Sequence, residues 1–496
     1  MAAEAELKLR LAPEDHGAIR RSAALAAARP RRQHLTSLYF DTPEGALAAH
    51  GLVLRLRREG RRWVQGLKAA NAASGGLHVR QEWEYARGDA AVDLARFAHT
   101  PLANVEGADT LHARLVPAFR VEVTRTTWTL VPTPGARLEV ALDSGVVESQ
   151  GRSEPISELE IECLEGGAGA AFDLACRLLE DAPLHPSSVT KAERGYRLFR
   201  GARAAPVKAQ PIHLDRALTP VAAARRVVAA GLAQLQSNEE GVLGSADPEF
   251  IHQARIALRR MRSALRMFRD HAGAGRTRAW RDALGEVALA LGAARDWDVF
   301  ATESFPALAK AHGDAALARA LVPRVARHRR ASREAARAGL RSLEFARVGL
   351  ELARWLAEIE APPESGESLA QFAARTLRKR HKRLLRDAAN LPALGLEERH
   401  RVRIDAKRLR YGTDALASLF KSRRVDDYRE ALAALQDALG EANDAATALG
   451  LLPLLDPPAP FAAFARGWLA ARAQGDAAYL EALIARLSEA RRFWAK

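Results

Sequence analysis

The residues that decide the fold stand at the start of the chain, where positions 4–10 read Glu4-Ala5-Glu6-Leu7-Lys8-Leu9-Arg10. Charged and apolar side chains alternate here without a break. Successive side chains of a β-strand point to opposite faces of a sheet. The stretch therefore predicts a strand with one charged face and one apolar face.

Five further stretches place Glu, Asp or Arg on one parity against apolar neighbours. The charged members are Arg55 and Arg57; Arg80, Glu82 and Glu84; Arg120 and Glu122; Glu139 and Asp143; and Glu158, Glu160 and Glu162. An ordinary solvated face explains any one of them, but such a face usually mixes Thr, Ser, Gln and Lys. Six faces of this composition predict strands closed into an antiparallel barrel, with the charges in its lumen and the apolar faces packed outward on helices.

The charges of such a lumen indicate its chemistry. Clustered carboxylates repel one another unless a divalent cation joins them, and their hard oxygen atoms favour Mg²⁺ or Mn²⁺. Arg side chains bind phosphate oxygens bidentately, and Lys adds a point charge. The lumen therefore suits a short phosphate chain, on which a metal polarises a phosphoryl oxygen and activates water.

The excess positive charge lies in the second part of the chain. The 496 residues carry a net charge of +15, which predicts a polyanionic partner. Residues 1–203 hold 27 Lys and Arg against 26 Asp and Glu, whereas the remainder holds 48 against 34. An Ala- and Pro-rich stretch separates the two parts. We therefore expect a first domain over residues 1–203, a linker over 204–214 and a basic helical domain over 215–496.

The basic part contains an internal repeat at an offset of 148 residues. The matched positions are His252 and His400, Arg255 and Arg403, Arg259 and Lys407, Arg260 and Arg408, Arg262 and Arg410, Leu291-Gly292 and Leu439-Gly440, Asp296 and Asp444, and Trp280 and Tyr428. The unit is too long for a solenoid repeat, so the pattern favours two copies of one helical bundle.

Each copy carries a basic stripe on one helix. At 100° per residue, His252, Arg255, Arg259 and Arg262 fall on one face, and Leu258 and Met261 fall on the opposite face. A solvated face explains one such stripe. Its recurrence in the second copy instead predicts a positive surface that attracts polyanions.

The cysteine content and the hydropathy of the chain indicate its cellular location. Cys163 and Cys176 are the only cysteines, which argues against a disulfide framework or a Cys-based zinc site. No apolar run is long enough to span a membrane, and no signal-peptide core is present. A cytoplasmic location without membrane association is the expectation.

The first part of the chain resembles the CYTH family of triphosphate tunnel metalloenzymes. The resemblance begins with the ExExK motif at Glu4-Ala5-Glu6-Leu7-Lys8 and continues, in the family's order, through Tyr39-Phe40-Asp41-Thr42, Leu54-Arg55-Leu56-Arg57, Lys68, Arg80-Gln81-Glu82-Trp83-Glu84, Arg120 to Arg125, Glu139 to Asp143, Glu158 to Glu162 and Lys191 to Tyr196. It implies an eight-stranded antiparallel tunnel barrel with helices that hydrolyses or cyclises triphosphates with Mg²⁺ or Mn²⁺.

The same resemblance implies roles for individual residues. Metal binding falls to Glu4, Glu6, Asp143, Glu160 and Glu162. Triphosphate binding falls to Lys8, Arg55, Arg57, Lys68, Arg80, Arg120 and Arg125. Lys191 is the implied catalytic residue, which contacts the phosphates or helps to activate water. Glu158 shares the parity of the metal ligands, so the exact pair within residues 158–162 stays open.

The second part resembles the CHAD family. The resemblance rests on the two stretches His252 to Arg262 and His400 to Tyr411, and on Leu291 to Asp298 and Leu439 to Asp444. It implies an all-α domain of two pseudo-symmetric helical bundles that binds long-chain polyphosphate and localises to polyphosphate granules. The implied polyphosphate-binding residues are His252, Arg255, Arg259, Arg260, Arg262, His400, Arg403, Lys407, Arg408 and Arg410.

These readings predict a multidomain α+β hydrolase of inorganic triphosphate with a polyphosphate-binding helical domain. One alternative is a granule-associated polyphosphate scaffold with a weakly active barrel. Another is a barrel that acts on thiamine triphosphate or a nucleotide, including adenylate cyclisation. Specific nucleic-acid binding is not expected, because no zinc finger, RNP or basic-zipper pattern is present and aromatic residues are scarce around the basic helices. The oligomeric state stays open.

Overall fold

The computed structural model describes residues 4–69, 73–358 and 366–495. The chain forms two compact units, which we call the barrel unit (Met1–Ala205 with Arg341–Ile359) and the helical unit (Pro206–Leu340 with Glu360–Lys496). The helix Leu343–Ala357 thus belongs to the barrel unit, although it lies inside the range expected for the helical domain. The division into residues 1–203, 204–214 and 215–496 otherwise stays a prediction.

The barrel unit is built on one antiparallel sheet. Its strands are β1 (Glu4–Arg10), β2 (Arg31–Asp41), β3 (Leu52–Glu59), β4 (Arg62–Ala69), β5 (Ala73–Ser74), β6 (Leu77–Arg80), β7 (Glu82–Arg87), β8 (Val116–Thr133), β9 (Ala136–Ser149), β10 (Arg152–Glu165) and β11 (His185–Pro186). Their order is β5-β6-β1-β10-β9-β8-β2-β3-β4-β7, and β11 pairs with β1 beside β6.

The sheet closes through a single stretch of chain. Strands β6 and β7 lie near opposite ends of the strand order, yet only Gln81 separates them in sequence. The curled sheet therefore returns on itself. Of the eleven described strands, β5 and β11 have only two residues each, and β6 and β7 form one bent strand. Counted in this way, the barrel has eight strands. The predicted fold class is confirmed.

The apolar faces of the strands point outward, as the alternation predicts. Leu7 and Leu9 of β1 and Leu159 and Ile161 of β10 are fully buried in a core that also contains Phe172. Phe172 lies on a helix, Ala168–Leu178, whose buried residues cover this side of the barrel. The charged faces of β1 and β10 consequently line the inside.

One end of the lumen is apolar and closed by a helix. Tyr39 stacks on Phe119 with ring centroids 4.4 Å apart, and the Tyr196 ring meets Phe119 edge-on. Tyr196 lies on the helix Lys191–Phe199. A Cβ added at Gly195 would lie 2.1 Å from Phe119 Cδ2, so only glycine permits this approach. The packing places Lys191, the first residue of that helix, at the inner end of the polar lumen.

The helices of the barrel unit are α1 (His16–Arg21), α2 (Ala46–Ala49), α3 (Ala108–Arg114), α4 (Ala168–Leu178), α5 (Lys191–Phe199) and α12 (Leu343–Ala357). Those of the helical unit are α6 (Pro220–Gly244), α7 (Pro248–Met267), α8 (Arg269–Ala272), α9 (Ala274–Val299), α10 (Phe305–His312), α11 (Ala315–Leu340), α13 (Leu369–Asp387), α14 (Leu396–Leu416), α15 (Ser422–Leu451), α16 (Ala459–Gln474) and α17 (Ala477–Glu489). None of the described helices is both long and apolar enough to cross a bilayer.

The helical unit repeats its helices at the offset found in the sequence. Helices α7 and α9 shifted by 148 residues begin where α14 and α15 begin. Helix α7 packs between α6 and α9, and α14 packs between α13 and α15. Helices α7 and α14, which carry the two basic stripes, also contact each other.

Candidate functional site

One wall of the barrel lumen carries opposed carboxylates. Glu6 on β1 pairs across the sheet with Glu162 on β10, and Glu162 pairs with Glu139 on β9. Directly opposed like charges destabilise a sheet. Burial, with repulsion from Glu6 and Glu139, raises the pKa of the Glu162 carboxyl. A bound cation would relieve this repulsion.

A second group of acids lies deeper on the same wall. The carboxylates of Asp143, Glu158 and Glu160 each place an oxygen atom within 4.8 Å of the others. Lys191 Nζ lies 2.7 Å from Asp143 Oδ2 and 2.8 Å from Glu160 Oε1, and it also contacts Glu158. The sequence left the role of Glu158 open, and the structure places this residue within the group.

Two more cations hold the deeper acids. Arg125 binds Asp143 through two hydrogen bonds of 2.8 and 2.6 Å, and it lies 2.6 Å from Glu160. Lys8 contacts Glu160 and lies 3.1 Å from Glu158. Several cations and several carboxylates therefore share this end of the lumen.

The protonation states follow from these contacts. Burial alone would lower the pKa of Lys191, but the three carboxylates around it raise that pKa well above its usual value. Burial would raise the pKa of Asp143, yet Lys191 and Arg125 hold it below its usual value. Lys191 is therefore a charged donor at neutral pH, and Asp143 is ionised.

The facing wall carries bases. Arg55 and Arg57 lie on β3 and Lys68 on β4, all on the parity that faces the lumen. Arg55 lies 2.7 Å from Glu84, and Lys68 lies 2.5 Å from Glu82. Repulsion from Arg55, followed by burial, lowers the pKa of Arg57. Arg57 also lies 2.6 Å from Glu59, so three acids contact the three bases of this wall.

Glu4 and Arg80 join the two walls. Arg80 donates a 2.8 Å hydrogen bond to Glu6. Glu4 lies 3.5 Å from Lys68, and its pKa is raised to about 8 by burial and by a hydrogen bond to Glu82. A cation that binds the ionised form of this carboxyl would stabilise the negative charge and lower the pKa.

Five buried polar atoms on charged side chains of the lumen have no hydrogen-bond partner among the described residues. They are the Nε atoms of Arg55, Arg57 and Arg80, Oε2 of Glu4 and Oε1 of Glu6. Buried polar groups are normally satisfied, so the lumen has both acceptor and donor capacity to spare. Its acceptors are carboxylate oxygens, which fits Mg²⁺ or Mn²⁺, and its donors fit phosphate.

Arg120 does not lie with the other predicted phosphate ligands. It stands five residues from Arg125 on the regular strand β8, so the two side chains face opposite sides of the sheet. Arg120 is 49% exposed on the outer face and pairs with Glu122. We therefore leave it out of the candidate site, while the other residues predicted for the barrel line the lumen.

The helical unit brings four predicted cations together on α7 and α14. Arg259 lies over the Tyr411 ring of α14, 5.6 Å from its centroid, and Arg255 lies 3.8 Å from Asp296. Burial, with repulsion from Arg259, Arg403 and Arg255, lowers the pKa of Lys407 to about 6. Burial and Arg259 lower the pKa of Arg403 to about 10. We call Arg255, Arg259, Arg403 and Lys407 the four-cation cluster.

The other predicted residues of the stripes make separate contacts. Arg260 bonds Gln234, Arg262 bonds the Arg281 carbonyl oxygen, Arg408 bonds Asp405, Arg410 bonds Gln436 and His400 bonds Asn443. Burial, with repulsion from Arg295, lowers the pKa of His252. These residues border the four-cation cluster, and most of them are held by neighbours.

Arg266 and Arg380 extend the basic surface beside Arg408 and were not predicted. Burial, with repulsion from Arg408 and Arg266, lowers the pKa of Arg380 to about 10. At 100° per residue Arg266 falls on the same helix face as His252, so the helical periodicity could have identified it as part of the basic stripe. Arg380 lies on α13 and has no counterpart in the repeat, because the matched position is Leu232.

Comparison with known proteins matches both units. Residues 2–196 match the family model of the CYTH domain, and residues 226–453 match that of the CHAD domain. An inorganic triphosphatase from Haemophilus influenzae is 30% identical over 165 residues, which are 33% of this chain and 46% of that protein. The matched region thus spans less than half of that relative.

Two solved structures are similar to parts of this chain. The crystal structure of the CHAD domain from the plant Ricinus communis is 34% identical, with a TM-score of 0.51 over 58% of this chain and 98% of that one. A protein from Hippeastrum, described as a putative adenylyl cyclase with a dominant triphosphatase activity, is 22% identical, with a TM-score of 0.31 over 40% of this chain and 97% of that one. By the family models, the chain joins an N-terminal CYTH domain to a CHAD domain.

Proposed function

We propose that the barrel unit hydrolyses inorganic triphosphate with the help of Mg²⁺ or Mn²⁺. The observation that carries the proposal is the lumen itself, in which a wall rich in carboxylates, with Lys8, Arg125 and Lys191 among them, faces a wall that carries Arg55, Arg57 and Lys68. A metal–triphosphate complex presents a cation to the first wall and phosphate oxygens to the second. The inorganic triphosphatase from Haemophilus influenzae, which matches part of this chain, supports the same activity.

The bases of the lumen would bind the substrate. Arg55 and Arg57 have unpaired Nε atoms, and their remaining contacts are to Glu59, Glu82 and Glu84. Phosphate oxygens are doubly suited to these guanidinium groups, because they accept two parallel hydrogen bonds and carry the complementary charge. Lys68 and Arg80 add charge at the end of the lumen nearest Glu4.

The acids would hold the cation. Glu4 and Glu162 have a raised pKa, and Glu4 and Glu6 each have an oxygen that accepts no hydrogen bond from the described residues; Asp143, Glu158 and Glu160 form the deeper group. When bound, the cation polarises a phosphoryl oxygen and lowers the pKa of a coordinated water. Among the predicted ligands we therefore place Glu4, Glu6 and Glu162 nearest the ion, with Asp143 and Glu160 behind them.

Lys191 would act by charge and hydrogen bonding. Its carboxylate neighbours keep it protonated, so it is unsuited to accept a proton from water. A fixed ammonium group at the inner end of the lumen instead stabilises negative charge that develops on the phosphoryl oxygens.

The helical unit would retain long-chain polyphosphate on the four-cation cluster. Burial, together with the repulsion among Arg255, Arg259, Arg403 and Lys407, lowers the pKa of Lys407 and of Arg403. A flexible polyanion relieves this repulsion and releases its own counterions. A cytoplasmic location at polyphosphate granules belongs to the same proposal.

A substrate panel tests the proposal. Tripolyphosphate, ATP, thiamine triphosphate and long-chain polyphosphate are each incubated with the full chain and Mg²⁺ or Mn²⁺, and phosphate release is measured. We expect the highest kcat/KM with tripolyphosphate. Preference for ATP with formation of cyclic AMP would establish a cyclase, and binding of long chains without turnover of any substrate would establish a scaffold.

A further inference from the structure

Helix α12 is built into the core of the barrel unit. Its residues Ala346, Leu350 and Ala353 are fully buried in the cluster that contains Leu7 of β1 and Phe172 of α4. Its Arg354 side chain lies 2.6 Å from Asp173 on α4. A helix from the middle of the CHAD sequence therefore completes the apolar face of the CYTH barrel.

The same helix contacts the short strand β11. The Phe345 ring lies 6.0 Å from the His185 ring, centroid to centroid. A Cβ added at Gly349 would lie 3.4 Å from Pro186 Cδ, at ordinary van der Waals distance. Burial, with repulsion from Arg10, lowers the pKa of His185 to about 3, so its ring packs as a neutral group.

Residues 185–187 lie directly beside the acid wall. Strand β11 pairs with Leu9 and Arg10 of β1, and the Ser187 amide donates a 2.9 Å hydrogen bond to the Lys8 carbonyl oxygen. His78, which faces the lumen next to Glu6, lies 3.2 Å from the Ser187 carbonyl oxygen. The backbone here is thus fixed from β1 and β6 on one side and from α12 on the other.

The segment leads without a further element into α5. Thr190 and Glu193 form a capping box that starts this helix at Lys191. Lys191 stands four residues after Ser187, and its ammonium group contacts the three deep carboxylates. A displacement of Pro186 and Ser187 would consequently move the start of α5 and the ammonium group with it.

We propose that α12 is a positioning element of the triphosphate site. Phe345 and Gly349 hold residues 185–187 against β1 and thereby fix Lys191 among its carboxylates. The inference rests on the proposed function of the barrel. It assigns to a helix within the CHAD sequence a part in the chemistry of the CYTH domain.

A matched pair of substitutions at one position tests the proposal in the full chain. Gly349→Leu places a branched side chain against Pro186 and should lower kcat for tripolyphosphate about ten- to a hundredfold, the size of effect that a small misplacement of a reacting group produces. Gly349→Ala adds only the Cβ that the contact accommodates, so it should keep the wild-type kcat. Arg347→Ala, on the exposed face of α12, is a second control.

Two further measurements separate positioning from loss of structure. Phe345→Ala removes the ring that packs on His185, whereas Gly349→Leu crowds Pro186. Phe345→Ala should also lower kcat, and a cooperative unfolding transition shows that the variant is folded. In a Lys191→Met background, Gly349→Leu should lower kcat less than about twofold, because the group it displaces is gone. Wild-type kcat in folded Gly349→Leu and Phe345→Ala, or an equal loss in both backgrounds, would overturn the proposal. Absence of turnover in the wild type would instead contradict the proposed function.

Discussion

Binding of polyphosphate to the helical unit should take up a proton at Lys407. The structure buries this ammonium group beside Arg255, Arg259 and Arg403, whose repulsion Asp444 partly offsets, and its pKa falls to about 6. Lys407 is therefore mostly neutral at pH 7.5 in the unbound protein. A bound polyanion favours the charged form and returns the pKa toward its ordinary value.

The size of the effect follows from linkage. Between the pKa of the unbound state and that of the bound state, affinity changes about tenfold for each pH unit, and the acidic side is favoured because binding takes up a proton. From pH 6.5 to pH 8, this one group should weaken the binding of long-chain polyphosphate about twentyfold. Titration calorimetry at constant ionic strength, in buffers of different ionisation enthalpy, measures both the affinity and the proton uptake.

Lys407→Arg is the matched control for this prediction. The repeat places Arg259 at the equivalent position of the first copy, so a guanidinium group fits the role and stays charged over the whole range. The variant should bind polyphosphate with a much smaller pH dependence than the wild type. An identical pH dependence in the wild type and in Lys407→Arg would refute the reasoning.

Two further predictions concern the helical unit. Arg255→Glu with Arg259→Glu should weaken polyphosphate binding. Adding Arg403→Glu with Lys407→Glu should weaken it further, because one flexible polyphosphate chain contacts both copies of the repeat. A folded quadruple variant that binds as the wild type does would show that the stripes are only solvated faces. Asp298→Ala should lower the free energy of unfolding by about 3–5 kcal/mol, because fully buried Asp298 binds Arg329 at 2.6 Å and Arg333 at 3.0 Å, and its loss leaves a buried guanidinium group uncompensated. Asp270→Ala, at an exposed ion pair, should cost under about 0.5 kcal/mol in the same urea titration.

The barrel could be predicted because its information is local. Alternation of charged and apolar residues fixes which face of a strand points inward, and it does so within five or six residues of each segment. Glu4, Glu6 and Lys8 face the lumen for this reason. The helical repeat is local in the same sense, because the 3.6-residue period places each basic stripe on one face of its own helix.

Register between strands could not be predicted in the same way. The five-position spacing of Arg120 and Arg125 places them on opposite faces of β8, but which face points inward depends on the neighbouring strands, and only Arg125 faces the lumen. The opposition of Glu6, Glu162 and Glu139 likewise depends on three strands that are distant in sequence. These are properties of strand pairing, which a single segment does not determine.

The sequence also does not predict which unit helix α12 packs against. Its apolar stripe, which includes Phe345, Leu350 and Ala353, predicts an amphipathic helix that buries one face. Nothing in that stripe distinguishes the core of the helical unit from the outer face of the barrel. The surrounding Ala-, Leu- and Arg-rich sequence favours the helical unit, whereas the packing on β11 and α4 assigns the helix to the barrel unit.

The proposed function depends on metal-dependent chemistry in the barrel lumen. Phosphate release from tripolyphosphate measures it most directly, with the wild type in Mg²⁺, the wild type in EDTA, and Glu6→Gln in Mg²⁺. Glu6→Gln keeps the shape of the side chain and removes the charge that opposes Glu162, so the fold should survive while cation binding fails. We predict rapid turnover in the first sample and none above background in the other two. Equal turnover with EDTA, or wild-type turnover in Glu6→Gln, would contradict the account.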